Sequence, residues 1–167
     1  MSDPVVDPTA LTTGDKYERK YLAHFLKIDS AWIRLGKDLE EYSVDMNPDV
    51  EQKKNIIGES SVNIKGYQPS SSVDTFYAYY GDALFTKLYS AINNRTTGTG
   101  LKCQVADVLL SGDATLQSCW VEDCYIVPQS VGGEDGVQIP FEIYYAGNRS
   151  DQTSNTTWSN GTITIST

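Results

Sequence analysis

The sequence predicts a mainly β fold, an antiparallel sandwich or half-open barrel with one flanking α-helix, and three observations carry that expectation. Apolar and polar residues alternate in several separate runs, the pattern of strands that bury one face. A single segment, Asp82 to Asn94, has the longer spacing of a helix. The dipeptide Asn160-Gly161 sits between two alternating runs, where it predicts a two-residue hairpin turn.

Taken in order, residues 1–15 are rich in Pro, Asp and Thr and are expected to form a flexible N-terminal tail. Tyr17 to Ile28 reads two ways. Tyr17, Tyr21, Leu22 and Phe25 have helical spacing, yet the segment could equally be a strand leading into Trp32. From Leu39 the chain alternates, with Tyr42, Val44 and Met46 on one side and Ser43, Asp45 and Asn47 on the other. After Asn47-Pro48 the alternation stops. A long polar loop over 47–58 then carries Asp49, Glu51, Lys53 and Lys54, and closes on Ile56-Ile57-Gly58 before a second strand at Val62 and Ile64.

Leu84, Leu88, Ala91 and Ile92 fall at i, i+4, i+7 and i+8, with Asp82 as a helix cap and Asn93-Asn94 as a stop. Beyond this helix, Leu101, Cys103 and Val105 alternate with Lys102 and Gln104 until the phase slips near Asp107, which suggests a bulge. Val137, Ile139, Phe141, Ile143 and Tyr145 form another alternating set. Pro140 within it lacks an amide hydrogen, so that strand is expected at a sheet edge or with a bulge. The final turn should place Trp158 opposite Ile163 and Thr156 opposite Ile165.

At 167 residues the chain is sized for one domain, read here as 16–167. Thirteen basic against twenty-two acidic residues give a net charge of −9, which disfavours direct binding of DNA or RNA. No stretch approaches the roughly 20 apolar residues of a membrane span, and the first residues lack the regions of a secretion signal, so synthesis in a cytoplasm is expected. In a reducing compartment Cys103, Cys119 and Cys124 should be free, buried thiols. Cys119 and Cys124, an odd number of residues apart on a strand, should face opposite ways.

Catalytic and metal-binding patterns are absent from the sequence, so the expectation is a protein that is not an enzyme and takes no cofactor or metal. His24 is the only histidine and lies among Tyr21, Leu22 and Phe25, which favours a structural role. Asp45, Asn47 and Asp49 imitate the start of a calcium loop, but Val50 and Ile56 stand where the turn glycine and the bidentate glutamate belong. Gly98 and Gly100 lead into a strand, with Cys103 in place of the third glycine of a dinucleotide fingerprint. The pairs Glu40-Glu41, Glu122-Asp123 and Glu134-Asp135 either point apart on strands or are solvated in loops. The aromatic cluster Phe76, Tyr77, Tyr79 and Tyr80 suits a core edge or a subunit interface.

Three long segments carry a resemblance. WIRLGKDLEEYSVDMNPDVEQKKNIIGE, then KGYQPSSSVDTFYAYYGDALFTKL, then CWVEDCYIVPQSVGGEDGVQIPFEIYYAGNRS follow one another as in a major tail protein, or tail tube protein, of tailed bacteriophages infecting Gram-positive bacteria. The resemblance spans roughly residues 16 to 165 and rests on this succession, with no single diagnostic motif. The cysteine pair around Trp120 departs from it.

The resemblance implies six copies in a ring, and rings stacked into a tube through which the genome is ejected. The partners it implies are further copies of the chain and other tail proteins: tape measure, tail terminator, baseplate and sheath. DNA would pass through the lumen without specific binding, no membrane would be involved, and the protein would reside in the virion tail. By position the polar arm from Asn47 to Gly58 resembles the family loop that touches adjacent subunits, so Asn47, Pro48, Glu51, Gln52, Lys53, Lys54, Ile56 and Ile57 are the expected contact residues. Part of the acidic charge is expected to face the lumen. The competing reading is a β-sandwich recognition module that binds a saccharide or host-surface ligand on its aromatic residues.

Overall fold

A computed structural model describes residues 11–39, 41–112 and 115–166. Eleven strands and one α-helix are present among them, and every strand pairing given below is antiparallel, so the predicted mainly β class holds. The chain divides into two compact units, one comprising residues 1–37, 102–123 and 147–167, the other residues 38–101 and 124–146. No helix among the described residues is long and apolar enough to cross a membrane.

In the first unit the ambiguous N-terminal segment resolves as a strand. A 3-10 turn at Arg19–Tyr21 leads into β1 (Leu22–Ile28), which pairs with β2 (Ala31–Leu35) and with β7 (Lys102–Gly112). The helical spacing of Tyr21 and Phe25 is overridden because Ala23, Phe25, Leu26 and Ile28 are all buried, which uses both faces of a central strand. The same reasoning corrects the bulge expected near Asp107. The β1–β7 register runs unbroken from Leu22↔Leu109 to Lys27↔Gln104. The apparent phase slip arises because Val105 and Ala106, neighbours pointing to opposite faces, are both fully buried.

One face of this unit holds a core of Tyr21, Ala23, Phe25, Ala106, Val108, Leu110, Cys119, Val121 and Ile163. The C-terminal hairpin, β10 (Thr156–Ser159) and β11 (Thr162–Ile165), seals it with Trp158 edge-on to Phe25 at 6.0 Å between centroids. Its register pairs Trp158 with Ile163 and Thr156 with Ile165, as the Asn160-Gly161 turn predicts. Both turn residues have positive φ, at 51° and 76°, the geometry of a primed hairpin turn. Of the expected N-terminal tail, residues 1–10 lie outside the described residues. The Leu11 amide donates to the Ser111 carbonyl at 2.7 Å.

The second unit contains β3 (Val44–Asp45), β4 (Pro48–Lys54), β5 (Ser60–Tyr67), β6 (Ser70–Val73) and α1 (Ala83–Asn94). It also holds the end of β8 (Thr115–Pro128) and the start of β9 (Phe141–Asp151). The order of hydrogen-bonded strands is β2-β1-β7-β8-β9-β6-β3, so β2 and the two-residue β3 end the sheet. The strand expected from Leu39 is thus much shorter than its alternation suggests. Tyr42 still turns inward, buried with its hydroxyl 2.7 Å from Ser71 Oγ.

Helix α1 starts as predicted, with Asp82 accepting from the Leu84 amide at 3.0 Å. It buries Leu84 and Leu88 and ends at Arg95 in the left-handed region. Ile139, Phe141 and Ile143 are buried as their alternation requires, with Phe76 edge-on to Phe141 at 5.6 Å. The edge placement expected from Pro140 is not found. Pro140 precedes β9, an interior strand between β8 and β6, so no ladder amide is demanded of it. All three cysteines are free and buried, and burial pushes the Cys119 thiol pKa up.

Candidate assembly interface

The segment read from sequence as a loop over 47–58 is instead a β-hairpin. Pro48 to Lys54 form β4, paired with β5 from Pro48↔Tyr67 to Lys54↔Ser60, with one register shift between Asp49 and Val50. The sequence hid β4 because a strand exposed on both faces needs no apolar alternation. Among the residues from Met46 to Gln68, only Glu51 and Gly66 are even half-buried.

The hairpin is held in shape from both ends. At its base Asn47, with φ of 43°, donates from Nδ2 to the Gln68 carbonyl at 3.0 Å and to Ser70 Oγ at 3.1 Å. At its tip Asn55 Oδ1 accepts from the Ile57 and Glu59 amides at 3.2 and 2.9 Å, while its Nδ2 donates to Glu59 Oε2 at 2.9 Å. Gly58, at φ of 87°, completes the reversal. This locked turn aims Ile56 and Ile57 outward, with relative exposures of 105% and 75%.

Strand alternation divides the arm into two faces. Val50, Gln52 and Lys54 lie opposite Ile64, Val62 and Ser60, and Val50, Val62 and Ile64 make an exposed aliphatic stripe. On the other face Glu51 accepts salt bridges from Lys53 at 2.9 Å and Lys65 at 3.1 Å, and these hold its carboxyl pKa below the ordinary glutamate value. A lone two-stranded hairpin is marginal in water. Exposed β-branched side chains on such a ribbon make a surface suited to a partner.

The predicted contact residues therefore occupy one arm in different positions. Ile56 and Ile57 form its tip, Gln52 and Lys54 flank the aliphatic stripe, and Glu51 and Lys53 lie on the charged face. Pro48 opens β4, and Asn47 fixes the base. Sequence reasoning missed Val50 as part of the stripe, because its partners Val62 and Ile64 were legible only as a separate strand.

A second polar constellation lies in the first unit. Arg149 Nη1 reaches Asp107 at 3.0 Å and Glu122 at 3.3 Å, with its guanidinium 5.4 Å from the Trp120 ring. Asp107 also pairs with His24 Nδ1 at 2.8 Å, and Glu122 accepts from the Gly147 amide at 3.1 Å. Burial works against the Arg149 charge, but hydrogen bonding and attraction to Asp107 and Glu122 outweigh it and raise the pKa. Glu122, on a strand where the pair with Asp123 is expected to point apart, is 6% exposed, because a guanidinium and an amide compensate its carboxylate. These distances describe a structural ion-pair network, with His24 buried at its inner end.

No protein-family model matches the chain, and no curated protein matches it in sequence. Solved structures do match in fold. A chain of the sheath/tube terminator of an extracellular contractile injection system, PVC, in its extended state aligns at a TM-score of 0.55 and 12% identity, covering 84% of this chain and 99% of that one. The tube-terminating cap of the anti-feeding prophage aligns at 0.54 and 13%, covering 87% and 96%. A chain of the PVC sheath–tube complex, also extended, aligns at 0.51 and 12%, covering 84% and 94%. The fold is thus one shared with chains of an extracellular contractile injection system and of the anti-feeding prophage cap.

Proposed function

We propose that this chain is a structural subunit of a phage-like tail, one that assembles with copies of itself as six-membered rings stacked into the tail tube through which the genome is ejected. In this reading residues 16–167 act as one tail-tube domain, the protein resides in the virion tail, and it is not an enzyme. The observation that carries the reading is the hydrogen-bonded hairpin arm, whose aliphatic tip and stripe are left to solvent. The likeness to tube terminators and to a sheath–tube complex supports it.

A head-to-tail contact between different patches closes into a ring when its rotation permits, and a second contact stacks rings axially. The arm is suited to the axial role because it projects a formed strand pair beyond its unit's buried residues. Within the stack the partners would be sister subunits, with tape measure, terminator, baseplate and sheath proteins at the ends and surface. Part of the −9 charge would line the channel, where like charge gives DNA no counterion-release term to hold it.

A terminating cap is the second reading, favoured by two of the fold matches. It differs in one outcome: a cap stops at a single ring. Light scattering and negative-stain microscopy of concentrated protein separate the two, since a tube subunit gives growing cylinders and a cap gives discrete rings that attach to tube ends. Ile56→Asp with Ile57→Asp should stop cylinder growth. Cylinders of normal length from that variant would refute the arm's axial role, and strict monomers of wild type at every concentration would refute self-assembly.

A further inference from the structure

We propose that the arm tip docks, on a second copy of this chain, in the groove beside the C-terminal end of α1. This inference rests on the reading of the arm as an assembly element and adds its acceptor. The groove is an open depression of about 390 Å³ whose walls include Ile92, Leu101, Val127 and Val131 beside the polar Gln129, with Arg95 at the helix end.

Size and charge each match the tip. A cavity of about 150 Å³ accommodates a benzene ring, so this groove has room for two branched aliphatic side chains. Ile56 and Ile57 are adjacent, outward-facing and held in one geometry by Asn55, so seating them costs little ordering entropy. Two residues on, Glu59 is exposed and fixed by Asn55 Nδ2 at the same turn. It supplies a carboxylate for the exposed guanidinium of Arg95, which stands just past the last turn of α1. Tip and groove both belong to residues 38–101 and 124–146, yet they are different patches. The contact is therefore head to tail, and each copy offers one tip and one groove.

The test is a paired cross-link and a charge swap in the full-length protein. Ile57→Cys and Val131→Cys are made as separate proteins, mixed under mild oxidation and run without reductant. A covalent dimer in the mixture, absent from either protein alone, is the expected result. Glu59→Arg and Arg95→Glu should each raise the concentration needed for assembly by about tenfold, and mixing the two variants should recover roughly half of that in alternating contacts. Circular dichroism and melting of each variant confirm that the monomer is folded. If Ile56→Asp with Ile57→Asp blocks assembly while no cross-link forms and Arg95→Glu assembles normally, the groove assignment is overturned and the arm reading survives. If that double variant assembles like wild type, the arm reading falls and this acceptor with it.

Discussion

Two hairpins of this chain have the same secondary structure and opposite surroundings. The C-terminal pair β10–β11 turns Trp158 and Ile163 onto a core with Phe25, and Arg34 lies over the Trp158 ring at 5.5 Å. The β4–β5 arm turns Val50, Val62 and Ile64 toward water. Strand pairing is common to both, so pairing does not decide what a hairpin is for. The destination of its apolar side does: in one it supports the subunit, in the other it is left exposed, free for the contact proposed above.

The largest expected effect comes from breaking the packed hairpin. Trp158→Ala removes the ring that meets Phe25 and should cost about 3 kcal/mol, read from denaturant unfolding. A loss below about 1 kcal/mol would mean the C-terminal hairpin is as independent of its core as the arm is. Next, Gly161→Ala forces a side chain into the left-handed region at φ of 76° and should cost about 1 kcal/mol.

The matching change in the arm should be nearly silent in the monomer. Val62→Ser with Ile64→Ser should alter unfolding stability by no more than about 0.5 kcal/mol while weakening assembly. A large loss of monomer stability would show that the stripe already packs on its own chain.

The smallest effect concerns pH. Glu51 has its pKa lowered in the folded arm from an ordinary 4.5 by hydrogen bonds from Lys53 and Lys65. A depressed folded pKa means its support is present above the ordinary value and is lost as pH falls through the folded one. Amide-exchange protection in β4 and β5 should hold from neutral pH down to that range and then decline, with the β10–β11 amides unaffected. Decline near neutrality would contradict the assignment to Glu51.

The same contrast explains how far the sequence could be read. Asn160-Gly161 named its hairpin and register because the turn chemistry is local, and Asp82 named the start of α1 for the same reason. Leu84 and Leu88 were legible through spacing alone. The arm was recognised as a protrusion, but not as a strand pair, since PDVEQKK has no buried face to impose alternation. The ion-pair network joining His24, Asp107, Glu122 and Arg149 was invisible, because its members come from β1, β7, β8 and β9 and no short spacing links them. Burial on both faces of β1 and β7 likewise produced the helical look of one and the false bulge of the other.

Asn47 and Asn55 give the arm a property that matters only when many copies meet. With its root and its tip each pinned by amide hydrogen bonds, the projection behaves as a gauge of constant length. If it seats between stacked rings as proposed, the spacing it sets would be the same at every layer. A long shaft built from such a part would stay straight and keep an even bore.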